Sequence, residues 1–234
     1  MQLERRLNRD APLKKEYTKF IHEYESLGHM RELQDVDLTQ MPHYLPHHCV
    51  IKEENSTTKI RVVFDASCKT TSGISLNDAL MVGPVLQQEL FSIMVRFRTF
   101  KYALIADITK MYRQILVDEA QTPLQRNVWR DGLHGKMMEF ELITLTYGTA
   151  SASFLAIKAV RTLAETEARH FPIGSQTVMR DFYVDDLITG ANSIEKALQI
   201  RDETTKLLKK DGFVLHKWAS NEAELLKGIP EIIS

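Results

Sequence analysis

The chain has 234 residues, 44% of them apolar and 26% charged, with a formal net charge of −1. That is enough apolar material for one large domain or two small ones. The near-neutral balance excludes a global field that would gather a polyanion, so any nucleic-acid site has to be a local basic surface. Two cysteines, Cys49 and Cys68, are too few for a disulfide framework and form no C-x-x-C pair. No apolar run reaches the ~18 residues needed to span a bilayer, and MQLERRLNRD lacks the apolar core of a signal peptide. An intracellular, cytoplasmic protein with no membrane contact is expected.

Residues 13–27 place Tyr17, Phe20, Ile21, Tyr24 and Leu27 on one helical face ending at Gly28, a C-cap residue, and Pro12 suits a first turn after a shorter helix. Pro42 and Pro46 mark extended chain, after which HCVIK and KIRVVFDA predict strands joined by a polar ENSTT loop. VLQQELFSIMVRFRTF predicts a helix with Leu90, Ile93, Met94 and Phe97 in step. KYALIADI predicts a strand buried on both faces and ending in Asp107, and KMMEFELITL another strand. TASASFLAIKAVRTLAETEARHF predicts a long helix, and RDFYVDDLITG a strand, a tight turn and a strand. SIEKALQIRDETTKLLKKDG predicts a helix capped by Ser193, with Ala197, Ile200, Thr204, Leu207 and Leu208 as its apolar stripe, and FVLHKWA returns as a strand. Helices and strands mix without a βαβ rhythm, so the expected class is α+β with an antiparallel sheet and packed helices.

The adjacent Asp185 and Asp186 raise the question of function. Like charges repel, and burying either without a partner is costly. Asp-Asp is also common in turns, where the side chains bond their own backbone. If Asp107 and the Asp pair share one sheet, however, carboxylates converge on one edge. Such a cluster becomes favourable when it holds hard divalent cations with oxygen ligands, as in in-line phosphoryl transfer.

FYVDD resembles the Y-x-D-D hairpin of reverse transcriptases. ADITKMYRQI resembles that family's earlier palm motif, with Asp107 followed five residues on by Tyr112. LTYGTASAS resembles its Gly-centred motif at the start of the long palm helix, and VIKEENSTTKIRVVFDAS its fingers hairpin. The motifs stand in the family's order between residues 45 and 220. RVVFDAS, GISLNDALMVGP, YVDDLITG and GFVLHKWAS are most similar to the Bel/Pao group of LTR retrotransposons.

The resemblance implies reverse-transcriptase-like fingers and palm. Residues 1–40 would form an N-terminal helical segment, 41–100 part of the fingers, and 101–234 the palm with a fingers segment near 113–140. It implies Asp107, Asp185 and Asp186 as catalytic carboxylates holding two Mg2+ ions, with Mn2+ able to substitute, and the backbone carbonyl of Ile108 as a further ligand. Tyr112 would be the gate that excludes a 2′-hydroxyl. Arg61 would pack over the incoming base and its triphosphate, with either Lys59 or Lys52 as the neighbouring phosphate-binding lysine. Tyr147 and Gly148 would border the nucleotide, Gly148 letting the backbone approach it. Tyr183 and Val184 would touch the primer end, and Lys217 would protonate the leaving pyrophosphate. His43, His47 and His48 lack partners at zinc-ligand spacing.

The activity implied is RNA- or DNA-templated addition of a dNTP to a primer 3′-hydroxyl, by a nucleotidyltransferase of a transposable element that acts in the cytoplasm or in virus-like particles. Its expected partners are template with primer, dNTP, and the rest of a retroelement polyprotein: thumb, RNase H and integrase, none of which is expected within this chain. The segment after Trp218 is accordingly expected to pack poorly. Two other readings stand beside it, a truncated, non-catalytic nucleic-acid-binding remnant and a metal-dependent nuclease.

Overall fold

The computed structural model describes residues 2–34, 42–51, 60–132 and 135–229. Lys52, Lys59 and the ENSTT loop lie outside the described residues. In chain order the elements are α1 (Gln2–Arg9), α2 (Ala11–Ser26), β1 (Met30–Glu32), β2 (His47–Ile51), β3 (Ile60–Phe64), α3 (Leu76–Ala79), α4 (Leu90–Phe97), β4 (Tyr102–Ile108), β5 (Arg126–Trp129), β6 (Met138–Leu142), α5 (Ala152–Thr166), α6 (Pro172–Asp181), β7 (Phe182–Tyr183), β8 (Asp186–Ala191), α7 (Ile194–Lys209) and β9 (Leu215–Ser220). Short 3-10 turns occupy Met111–Gln114, Thr122–Gln125 and Ala223–Leu226.

Local chemistry accounts for most of these boundaries. The Asp10 side chain accepts from the Leu13 amide and opens α2, and Gly28, at φ 70, follows its last turn. Ser193 caps α7 by accepting from the Lys196 amide. Helix α6 was not expected, because PIGSQTVMRD carries Gly and β-branched residues that are poor helix formers. Tertiary contacts override that preference. Glu203 on α7 accepts the first amides of α6, from Ile173 at 2.9 Å and Gly174 at 3.2 Å, and a Cβ on Gly174 would stand 2.9 Å from the Glu203 backbone. The helix runs straight into β7, which is therefore only two residues long, shorter than RDFYV suggested. Strands β1 and β5 were also not anticipated, and α4 occupies only the middle of its predicted span, residues 85–100.

The chain divides into two compact units, Met1–Val82 with Ile115–Ala152, and Gly83–Gln114 with Ser153–Ser234. Residues 1–34 do not stand apart: Leu7, Leu13, Tyr17, Ile21 and Tyr24 share one core with Val62, Phe64, Trp129, Phe140 and Leu142, because the apolar face of α2 has to be covered. Residues 83–100 belong to the second unit.

The first unit holds a three-stranded antiparallel sheet, β1-β6-β5, and the β2–β3 hairpin. Register places Arg31 and Arg126 on either side of Glu141. Arg126 Nε lies 3.0 Å from Glu141 Oε2, Arg31 NH2 lies 2.9 Å from Oε1, and the Thr122 hydroxyl donates to Oε1 at 2.7 Å. Burial alone would raise the Glu141 pKa, but Thr122, Arg31 and Arg126 outweigh it and hold the carboxyl below its usual value.

The second unit is built on the four-stranded sheet β7-β8-β4-β9, antiparallel throughout. Helices α6 and α7 pack against each other and α7 against β4 and β8. Leu104, Ala191, Ala197, Ile200 and Leu225 form a core cluster there. The expected poor packing after Trp218 does not hold for the described residues up to 229. Leu225 is fully buried, and Arg201 on α7 donates to the carbonyls of Leu225 and Lys227 at 2.8 and 3.0 Å. A single well-placed guanidinium and one apolar side chain are enough to tie that segment to α7.

Replacing Glu141 by Ala would strand the buried Arg126 charge beside its lost carboxylate, and unfolding in urea is expected to show a loss of about 3–5 kcal/mol. Because the folded carboxyl sits below its unfolded value, the native stabilisation is present above the unfolded carboxylate range and is lost as pH falls through the folded pKa. The difference between native protein and Glu141→Ala should therefore shrink in strongly acidic buffer.

Candidate active site

Strand β4 carries Asp107 as its penultimate residue; the sheet pairs its apolar residues on both sides, to β8 and to β9, and leaves its carboxyl end at the rim. Register then sets Asp107 directly opposite Asp186, the first residue of β8. Between β7 and β8 lies a two-residue loop, Val184 and Asp185, closed by the Tyr183–Asp186 pair. Val184 has φ 56, and Asp185 does not share the positive φ, which is the pattern of a II′-type hairpin turn. Glycine is favoured there, and a β-branched residue held in that region costs on the order of 1–3 kcal/mol. The Asp185 carbonyl accepts the Ile108 amide at 2.9 Å, tying the turn to the end of β4.

Three carboxylates thus meet at one end of one sheet. The Asp185 carboxyl is pushed above its usual pKa first by burial, then by the charges of Asp107 and Asp186, while a backbone hydrogen bond and Lys217 pull the other way. The more exposed Asp186 is raised by partial desolvation and by Asp107, again against Lys217. Positive charge pulls both carboxyls the other way.

Strand β9 supplies part of it. A bulge interrupts its pairing with β4 between Ile105 and Asp107, and Lys217 in that bulge takes φ 50. Its ammonium reaches Asp107 Oδ2 at 3.1 Å while two thirds exposed, and His216 Nδ1 donates to the Asp107 backbone carbonyl at 2.9 Å. Lys217 is therefore beside the carboxylates, as expected, and His216 is a neighbour that the sequence reading missed. The alternation of β9 around Lys217 was the available signal. Asp181, buried at the end of α6, was also missed: it accepts from Arg96 Nε at 3.0 Å and from the Thr189 hydroxyl at 2.7 Å. Tyr112 lies in the 3-10 turn after β4, half-buried, with its hydroxyl 3.3 Å from Ser153 Oγ.

The donors are all hard carboxylate oxygens, which suit Mg2+ in chemistry and charge. Among the described residues no group of three or more His, Cys, Asp or Glu side chains is drawn together closely enough to hold an ion, and the ammonium of Lys217 is the cation at hand. The donor set suits the ion by the chemistry of its oxygens.

The remaining candidates lie in the first unit. Arg61 on β3 is exposed, and its guanidinium stands 5.3 Å above the Tyr147 ring, a cation–π pair, while the Tyr147 hydroxyl donates to the Val62 carbonyl. Gly148 has φ 103, and a Cβ there would meet the Phe64 carbonyl at 2.9 Å. Asn77, which sequence reading passed over, brackets this turn: its amide nitrogen donates to the Gly148 carbonyl at 3.2 Å and its oxygen accepts the Ala150 amide at 2.7 Å. His47 is half-buried, with its Nε2 3.0 Å from the Val128 carbonyl.

No protein-family model matches the chain, and no curated protein matches it. Solved structures do. A foamy viral protease-reverse transcriptase in complex with double-stranded DNA superposes at TM-score 0.66 with 17% identity, covering 88% of this chain and 31% of that one. Prototype foamy virus protease-reverse transcriptase, as a selenomethionine-labelled mutant, gives 0.63 and 16%, covering 86% and 23%. The chain spans less than a third of either relative. It has a reverse-transcriptase-like α+β fold. Among the described residues no helix is long and apolar enough to cross a membrane.

Both raised carboxyls bind protons more readily when folded than when unfolded, so the native state loses stability as pH climbs from the unfolded carboxylate range through their folded values. Asp185→Asn is expected to raise the urea midpoint at pH 7 and to have little effect at about pH 3, below the ordinary Asp value of ~3.9. A midpoint at pH 7 below that of the native protein would contradict the charge deficit.

Proposed function

We propose that this chain is the core of a reverse transcriptase, an RNA- or DNA-templated DNA polymerase that joins a dNTP to a primer 3′-hydroxyl. The observation that carries this reading is the β4–β8 register, which sets Asp107 opposite Asp186 with Asp185 in the adjoining turn, where burial and neighbouring negative charge hold the Asp185 and Asp186 carboxyls above their usual values. Asp107, Asp185, Asp186 and the backbone carbonyl of Ile108 would hold two Mg2+ ions, or Mn2+ in their place. Bound there, such ions supply Lewis acidity toward the primer hydroxyl and neutralise charge developing on the pyrophosphate.

The chain's own groups have complementary work. Tyr112 presents a ring that excludes a 2′-hydroxyl by sterics. Tyr183 and Val184 face the primer end. Lys217, exposed on an edge strand beside Asp107, is placed to give a proton to the leaving pyrophosphate. In the first unit Arg61, levelled on Tyr147, offers a planar, permanently charged surface for base and triphosphate, helped by Lys52 or Lys59, and Gly148 offers unobstructed backbone. Template with primer is the macromolecular partner, a reading supported by the DNA complex of the foamy viral relative. Origin in a Bel/Pao-type retrotransposon, expression beside thumb, RNase H and integrase, and action in the cytoplasm or in virus-like particles belong to the same reading.

A second reading has an observation in its favour. With Lys217 seated on Asp107 and no three-ligand group assembled among the described residues, the chain could keep the fold and bind nucleic acid without catalysis. Primer extension on an RNA template with Mg2+ and dNTPs at low salt separates the two. The polymerase reading expects extension by the native chain and a loss of about a hundredfold or more in Asp185→Asn, in the range seen when a group supporting charge in the transition state is removed. Tyr112→Ala should then accept ribonucleotides more readily. Retained binding of template-primer with no extension by either protein would favour the remnant.

A further inference from the structure

The turn that carries Asp185 keeps a β-branched residue in a conformation that glycine favours, Val184 at φ 56. Its amide N–H donates to the side-chain oxygen of Gln87, Oε1, at 2.9 Å, a contact spanning 97 residues of sequence. Gln87 lies in the extended segment ahead of α4, and that segment is anchored on both sides. At Gly83, φ 80, the backbone lies so close to the Phe154 ring that a Cβ would stand 2.5 Å from it. Gln88 accepts from Arg96 NH1 at 3.0 Å, and Arg96 holds Asp181, whose second oxygen takes the Thr189 hydroxyl. Asp181 precedes β7 and Thr189 lies within β8, so the same segment grips the hairpin at its turn and at its base. Beside Gln87 and Val184, Ile157, Val160 and Phe182 line a void of only about 10 Å³, so the amide is packed in place.

We infer that Gln87 is a positioning residue for the catalytic turn: its side-chain oxygen fixes Val184 in the left-handed conformation and so sets where the Asp185 carboxylate stands relative to Asp107 and Asp186. Rotation about the Val184 φ would swing both the Asp185 side chain and the carbonyl that accepts the Ile108 amide. The acceptor at the Val184 amide holds the Tyr183–Val184 peptide plane and the Ile108 amide holds the Asp185 carbonyl, so the Val184 φ between these two held ends is set. The consequence for rate rests on the polymerase reading; the hold on the turn does not.

The test uses the full chain and two variants of near-constant volume. Gln87→Met removes the acceptor, and Gln87→Glu retains an oxygen. Amide hydrogen exchange at Val184, read by NMR on labelled protein, is expected to be at least about tenfold faster in Gln87→Met and near native in Gln87→Glu. Primer extension is expected to fall about 10–100-fold in kcat in Gln87→Met, with KM for dNTP within about twofold, and to recover in Gln87→Glu, the range typical of groups that orient ligating carboxylates. In a Val184→Gly background, where the turn conformation comes without strain, adding Gln87→Met should slow extension far less than it does in the native chain. Unchanged Val184 exchange in Gln87→Met would overturn the inference whatever the activity. Faster exchange with unchanged kcat would overturn the link to catalysis. A native chain that binds template-primer but extends nothing, with exchange responding as expected, would overturn the polymerase reading and leave the hold on the turn standing.

Discussion

The second unit is organised around an electrostatic conflict between neighbouring strands. Pairing β4 with β8 sets Asp107 against Asp186, and the two-residue turn adds Asp185 alongside. Directly opposed like charges destabilise a sheet, and partial burial adds to the cost. The surrounding structure is rigid enough to tolerate this. β4 is flanked by strands on both edges, α7 packs on β4 and β8, and the Asp185 carbonyl is bonded to the Ile108 amide, so the carboxylates cannot drift apart without breaking the sheet. A bulge in β9 then brings one ammonium to the rim rather than into it. Three carboxylates remain grouped at that rim, and burial together with neighbouring negative charge holds Asp185 and Asp186 above their usual pKa.

The first unit resolves a similar problem in the opposite way. Glu141 is as deeply buried as any charged side chain there, yet register surrounds it with Arg31, Arg126 and the Thr122 hydroxyl, and its pKa falls instead of rising. The contrast between Glu141 and Asp185 is informative because one carboxylate lies in an antiparallel sheet and the other in the turn that joins two strands of one. One is fully matched and holds three strands in register. The other is left short and lies beside two more acids. Burial alone does not set the direction in which a carboxyl's pKa moves; the groups around it do.

Strain follows the same division. Among the described residues, the non-glycine positions at positive φ are Lys110, Val184 and Lys217, and all three lie next to the carboxylate cluster in the chain or across the sheet. Each lies where the backbone has to turn sharply to bring a side chain or carbonyl to the rim. Neighbouring structure compensates for such positions, as the Arg96–Asp181–Thr189 network does at the base of the hairpin.

Much of this was legible in the sequence. Short apolar runs placed β4, β6, β8 and β9, the 3.6 period placed α2 and, with Ser193 as cap, α7, and the spacing of Asp107, Tyr112, Gly148 and the Asp pair carried the resemblance to reverse transcriptases. These signals are local, since a strand's alternation, a cap and a turn are written within a few residues of one another. What only the tertiary structure decided depends on contacts between distant segments. α6 forms although its residues are poor helix formers, because Glu203 caps it from α7. The N-terminal helices join the first core rather than standing alone, because α2 has an apolar face to cover. His216, Gln87, Asn77 and Asp181 acquire their roles only when register and packing bring them to Asp107, Val184, Gly148 and Thr189. The amino-acid sequence by itself determined which residues could do chemistry and which local elements would carry them. Which carboxylate is matched and which is left short of charge was settled by strand register, because a pKa depends on the groups that surround a side chain in space.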